Sequence, residues 1–159
     1  MNPDTLPAAQ RGHAALRRGR HSLPHHVYHV TSATQGRVAH FAGFDAASAA
    51  ARSFHAPRTL GDACLLAWVL MPDHAHWLLQ LGPECPLARA VGRLKTASSI
   101  AANGALRRRG PLWQRAFHDR ALRHDDDVRM VARYIIANPV RAGLAVRVGD
   151  YPFWNCIWL

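Results

Sequence analysis

Two histidines one residue apart, His74 and His76, follow an apolar run and a Pro72-Asp73 turn. In an extended strand, residues i and i+2 share a face. His74 and His76 therefore converge on one side, while Ala75, Trp77 and Leu79 turn toward a core. Two neutral imidazoles placed this way can hold one metal ion. Further along, Tyr134 and Asn138 stand at i and i+4 in a helical pattern, which stacks them on one helix face. Val128, Val131, Ala132, Ile135 and Ile136 supply a separate apolar face for packing. The amide oxygen of Asn138 completes a candidate His-His-Asn metal site, with positions left open for phosphate oxygens and water. Mg²⁺ or Mn²⁺ suits that arrangement, and zinc suits a phosphate-bridging role less.

The chemistry of such a site is nucleophilic displacement at phosphorus. The Tyr134 oxygen attacks a backbone phosphate while the metal polarises a phosphoryl oxygen. A free tyrosine has a pKa near ~10, so its proton must be removed as attack proceeds. The sequence does not identify the group that removes it. Each piece also has a plainer reading: an incidental histidine pair, a tyrosine at the core edge with a wet hydroxyl, an Asn-Pro helix stop. Two rival functions stay open on the residues alone. One is a metal-dependent hydrolase with an activated water, for which Asp73 is the nearest carboxylate in sequence and reads as a turn residue. The other is a non-catalytic DNA-binding regulator.

The elements that must position these residues are legible in outline. His25 to Thr34 alternates and reads as a first strand. Asp45 is the expected N-cap of an alanine-rich helix from Ala46 to about Phe54, and Pro57 and Gly61 bound a loop. Ala63 to Met71 reads as a strand buried on both faces, joined by the Pro72-Asp73 turn to a strand His74–Leu81. Pro86 to about Asn103 reads as a helix with Leu87, Ala90, Val91, Leu94, Ala97 and Ala101 as its apolar stripe and Gly104 as its C-cap. Residues 105–111 form a basic loop, and Trp113 to Leu122 reads as a strand at the edge of the site. Asp125, Asp126 and Asp127 open the helix that runs to about Ala137. The expected order, β-α-β-β-α-β-α, is an α+β ferredoxin-like sandwich, an antiparallel sheet with helices packed on it. Residues 1–22 read as a flexible basic arm, and residues 23–159 as one domain.

Lys and Arg total 20 against 10 Asp and Glu, a net charge of +10, and Lys95 is the only lysine. Arginine reads phosphate in a planar, bidentate way, so the surplus points to nucleic acid as partner. Cys64, Cys85 and Cys156 form no CxxC pattern, which argues against a structural zinc site or a disulfide framework. No apolar run is long enough to span a membrane, and no leader-like segment opens the chain. The expected location is the cytoplasm.

Met71-Pro72-Asp73-His74-Ala75-His76-Trp77-Leu78-Leu79 resembles a segment of the IS200-like tyrosine transposases. Tyr134-Ile135-Ile136-Ala137-Asn138-Pro139-Val140-Arg141-Ala142-Gly143-Leu144 resembles a second, longer segment typical of their REP-associated branch. Tyr28-His29-Val30-Thr31-Ser32 and Trp113-Gln114-Arg115-Ala116-Phe117-His118-Asp119-Arg120 are similar to family segments in the same order. The likeness implies an HUH-type single-stranded DNA endonuclease and strand transferase. His74 and His76 would bind the metal, Tyr134 would form a 5′-phosphotyrosine link, and Asn138 would stand where a third ligand is expected. The implied partner is single-stranded or hairpin DNA, with Arg89, Arg93, Lys95, Arg107, Arg108, Arg109, Arg115 and Arg120 as candidate phosphate contacts. Family members carry a bulky apolar residue where this chain has Ala75. The chain stops soon after Trp158, so a C-terminal segment that helps relatives grip a hairpin is expected to be missing. IS200-type elements proper exchange tyrosine helices in dimers, whereas the REP-associated branch implies a monomer.

Overall fold

The computed structural model describes residues 22–124 and 126–159, so the expected basic arm lies outside them up to residue 21. Five strands, β1 (Val27–Ala33), β2 (Cys64–Met71), β3 (His74–Gln80), β4 (His118–Ala121) and β5 (Trp154–Cys156), form one sheet in the order β4-β1-β3-β2-β5. Every pairing is antiparallel. The first four strands have the ferredoxin-like order, and the sandwich read from the sequence is the one observed. β5 was not among the expected strands. The aromatic tail bonds onto β2, with Trp68 opposite Asn155, because β2 is buried on both faces and needs a neighbour on its open edge.

Helices cover both faces. On one lie α1 (Phe44–Ser53), the short α2 (Pro57–Leu60) and α3 (Leu87–Leu106), over a core that includes Val30, Phe41, Phe54, Trp77, Leu79 and Leu94. Phe54 meets Trp68 and Trp77 edge-on at centroid separations of 5.2 and 5.6 Å, a geometry that adds to the burial of the rings themselves. On the other face lie α4 (Val128–Ile136) and the short α5 (Asn138–Arg141). Ala132, Ile135 and Ile136 of α4 are buried against Val69, Met71 and Leu78, with Val128 and Val131 partly buried beside them, the apolar face expected for this helix.

Several boundaries differ from expectation for local reasons. Gly43, not Asp45, is the N-cap of α1, and Asp45 sits in its first turn. Residues 57–60 are a helical turn begun by Pro57 rather than a loop. α3 runs through Gly104 to Leu106 and ends on Arg107, which takes the left-handed conformation itself. Its stripe swings from Leu94 to Ser98 and Ala102 instead of Ala97 and Ala101. Ser98 is tolerated there because its hydroxyl donates to the Leu94 carbonyl and accepts from Trp113 Nε1. The expected strand over 113–122 shrinks to β4 after a single bridge between Trp113 and Thr34. Asp127 caps α4, its Oδ1 accepting from the N–H groups of Arg129 (2.9 Å) and Met130 (3.2 Å).

Candidate nucleic-acid site

β1 alternates half-buried and buried residues, and its half-buried side, His29 and Thr31, faces away from α1 and α3. The register places Val69, His76, Thr31 and His118 in one row across β2, β3, β1 and β4. The next row holds Ala67, Leu78, His29 and Arg120. α4 packs over β2, β5 and Leu78 of β3, while His118 and Arg120 on β4 are exposed. His74 and His76 lie on β3, between β2 and β1 in the sheet. Their rings are 5.1 Å apart between centroids and nearly perpendicular.

Each histidine is held through Nδ1. His74 Nδ1 lies 2.7 Å from Asp73 Oδ1. A carboxylate only accepts, so Nδ1 carries the proton and Nε2 presents its lone pair. Asp73 is itself fixed by Arg37, whose Nε reaches its Oδ2 at 3.0 Å. His76 Nδ1 lies 3.0 Å from Thr31 Oγ1 and 3.1 Å from His29 Nε2. Burial first, then the charges of His74, His29 and Arg141, push the His76 pKa down to about 3, so this imidazole is neutral at physiological pH. Burial, helped by Arg120, also lowers that of His29. His74 and His76, each with Nδ1 occupied and Nε2 left for a ligand, form a donor pair that fits a divalent cation. No group of three His, Cys, Asp or Glu joins into a metal-binding cluster among the described residues.

The three tyrosines differ sharply. Tyr28 is buried, its hydroxyl oxygen accepting from Leu23 N–H. Tyr151 donates to the Leu70 carbonyl at 2.7 Å, and burial raises its pKa to about 12. Tyr134 on α4 is 58% exposed. The guanidinium of Arg141 lies over its ring at 3.8 Å from the centroid, and Arg141 Nη1 donates to the Tyr134 carbonyl at 2.8 Å.

Asn138 is not on the same helix as Tyr134, contrary to the i, i+4 expectation. Pro139 has no N–H to offer the Ile135 carbonyl, so the ladder is interrupted at Ala137: α4 stops at Ile136 and Asn138 opens α5. Asn138 Nδ2 donates to the Ile135 carbonyl at 2.8 Å, leaving Oδ1 as the amide's acceptor. The end of α4 is thus capped from α5, with Asn138 on the Ile135 carbonyl and Arg141 on that of Tyr134. Gly143, at φ 71°, ends α5 in turn.

The basic candidates separate into groups. Arg120 lies in the His29 row of the sheet, paired with Asp126 at 3.0 Å. The Arg107–Arg109 loop leads into a segment tied to the end of β1, with Gln35 N–H bonded to the Leu112 carbonyl and Gln114 N–H to that of Ala33. Arg107, Arg109 and Arg115 are exposed, while Arg108 bonds Asn103 and the Pro111 carbonyl. Lys95 is engaged within the fold, its Nζ donating to the carbonyls of Gln114, Arg115 and Ala116. Arg89 and Arg93 lie on the opposite side of the sheet. With Arg58, Thr59 and Thr96 they line an open trough of about 490 Å³. Gly61 at φ 63° leaves room there for Arg93, whose Nη1 occupies the space of a Cβ. The residues missed in the sequence are Asp73, His29, Thr31 and Arg141. An Asp directly before the first histidine and a His at i−2 from Thr31 on an alternating strand were the available signals.

The sequence profile of the family described as transposase IS200 like matches residues 22–138. A REP-associated tyrosine transposase of Escherichia coli K12 is 32% identical over 91 residues, covering 55% of this chain and 50% of that protein. A relative from Haemophilus influenzae is 32% identical over 99 residues, covering 55% and 56%. The chain therefore spans about half the length of these curated relatives. The solved structure of a REP-associated tyrosine transposase bound to a REP hairpin superposes with a TM-score of 0.66 over 85% of this chain and 79% of the other. At 22% identity that likeness establishes the fold alone. The profile spans most of the chain and includes the histidine pair, the tyrosine helix and Asn138, and on that basis the protein belongs to the IS200-like transposase family.

Proposed function

We propose that this protein cuts and rejoins single-stranded DNA next to hairpins through Tyr134, as a REP-associated tyrosine transposase. The observation that carries the reading is the contrast among the tyrosines. Two are tied into the fold through hydroxyl hydrogen bonds, and the third stands exposed on the helix that packs beside an oriented histidine pair. The tyrosine helix lies on the sheet of its own chain, which supports a site complete within a monomer.

His74 and His76 would hold a Mg²⁺ or Mn²⁺ ion through Nε2, with Asn138 Oδ1 as the available amide oxygen. Such an ion polarises a phosphoryl oxygen and helps orient the phosphate. In the step itself the Tyr134 hydroxyl oxygen attacks phosphorus and the bond to the 3′ oxygen breaks. The strand leaves with a 3′-hydroxyl, and the phosphate stays on Tyr134 as a 5′-phosphotyrosine. The proton lost by the phenol balances the one gained by the leaving oxygen. An incoming 3′-hydroxyl reverses the step, and the strands rejoin without ATP. The β1 and β4 part of this face, with Thr31, His118 and Arg120, offers the floor on which a single strand would lie.

The water-activating hydrolase is less well supported. The carboxylate beside the pair among the described residues, Asp73, has both oxygens taken, one by His74 and one by Arg37. A denaturing gel of the protein with labelled hairpin DNA and Mn²⁺ separates the readings. A metal-dependent labelled protein band, absent in Tyr134→Phe, is the expected result. Cleavage without a band would mean the hydrolase, and binding alone would mean a regulator.

A further inference from the structure

We propose that Arg141 is the positioning residue of the nucleophile, holding the Tyr134 side chain ready for attack on a phosphodiester. The proposal rests on the reading of Tyr134 as nucleophile. Among the described residues no other ring or hydrogen-bond partner holds the phenol. Exposed as it is, the side chain would otherwise sample several rotamers and lose them on reaction. Arg141 removes that freedom in two ways at once. Its guanidinium plane lies on the ring at 3.8 Å, and its Nη1 grips the carbonyl of the same residue at 2.8 Å. Backbone and ring of Tyr134 are thus tied to one side chain, which is itself anchored on the far side of the helix break at Ala137.

The chemistry calls for arginine. A lysine ammonium is a compact point charge that cannot lie flat on the ring and bond the carbonyl together. Seven residues on, Arg141 stands on the same side of the chain as Tyr134, and its long side chain reaches back across the break at Ala137. The positive charge of Arg141 is also among those that lower the His76 pKa.

The test uses the full chain with three variants, Arg141→Ala, Arg141→Lys and Tyr134→Phe. With 3-fluorotyrosine incorporated, the three tyrosines give three ¹⁹F resonances, and Tyr134→Phe assigns the one of interest. Arg141→Ala and Arg141→Lys should both move the Tyr134 resonance and leave those of Tyr28 and Tyr151 in place. At saturating hairpin DNA, the rate of covalent adduct formation should fall about 10- to 100-fold in Arg141→Ala, the scale of a misplaced nucleophile. Arg141→Lys should keep DNA affinity, measured in the Tyr134→Phe background, without recovering the rate. The lysine variant and the spectrum carry the test if the alanine variant fails to fold. An unmoved Tyr134 resonance, or adduct formation at the parent rate, overturns the proposal while leaving Tyr134 as nucleophile. A loss confined to DNA affinity would make Arg141 a phosphate contact and overturn it too. No adduct in the parent protein would overturn the nucleophile reading, and this proposal with it.

Discussion

Removing the Asp73 carboxylate should loosen the histidine pair without touching either ring. Asp73 Oδ1 receives the Nδ1 proton of His74 at 2.7 Å, and the two side chains are only 26% and 19% exposed. A hydrogen bond to an ionised group in such a sheltered place contributes about 1.5–3 kcal/mol. If it fixes the ring that presents Nε2, its loss weakens divalent-cation binding by about 10- to 100-fold, the range typical of outer partners of metal-binding histidines. Mn²⁺ titration of the Tyr134→Phe protein, with free Mn²⁺ followed by electron paramagnetic resonance, reads this directly. Asp73→Ala should show the full loss. Asp73→Asn, which keeps an acceptor oxygen in place, should show less. Arg37→Ala is the control. It breaks the 3.0 Å pair to Oδ2, but Arg37 is 56% exposed, so the pair is worth at most about 1 kcal/mol. Mn²⁺ binding by Asp73→Ala at the parent affinity would refute the claim that Asp73 orients His74.

Other consequences follow from side chains whose work is visible. Lys95→Met should lower stability in urea denaturation by about 1.5–3 kcal/mol, because three carbonyls lose a cationic donor, and leave the salt dependence of DNA binding unchanged. Replacing Arg58, Arg89 and Arg93 together by alanine should flatten the slope of log affinity against log salt by up to about 3, if DNA phosphates occupy the trough. An unchanged slope in a filter-binding series would remove the trough from the DNA path. Asp127→Ala should cost about 1 kcal/mol and lower Tm by about 2–4 °C in calorimetry, since two N–H groups of the tyrosine helix lose their cap.

Much of the frame could be read from the chain because its signals are local. Alternation in Val27–Ala33 gave β1, the unbroken apolar run gave β2, and Asp127 marked the start of the tyrosine helix. The histidine pair was legible because strand period alone sets its direction. What escaped were relations that only the folded chain creates. His29 meets His76 through strand register across 47 residues, a spacing no pattern encodes. Ser98 sits in the core with Trp113, fifteen residues on, bonded to its hydroxyl. Asp73 read as a turn residue, and it is one, with a carboxylate that also holds the next side chain. Asn138 was placed by helical spacing on a helix that ends before it. The contact of Arg141 with Tyr134 spans the break that displaced the prediction for Asn138.

Mapping the DNA adduct tests the central claim most directly. The protein is trapped with hairpin DNA and Mn²⁺, digested with nuclease and protease, and analysed by mass spectrometry for a peptide carrying a nucleotide through its 5′ phosphate. The account predicts that nucleotide on Tyr134 and on no other residue. An adduct on Tyr28, Tyr151 or a histidine would contradict it, as would efficient metal-dependent cleavage that leaves every peptide unmodified.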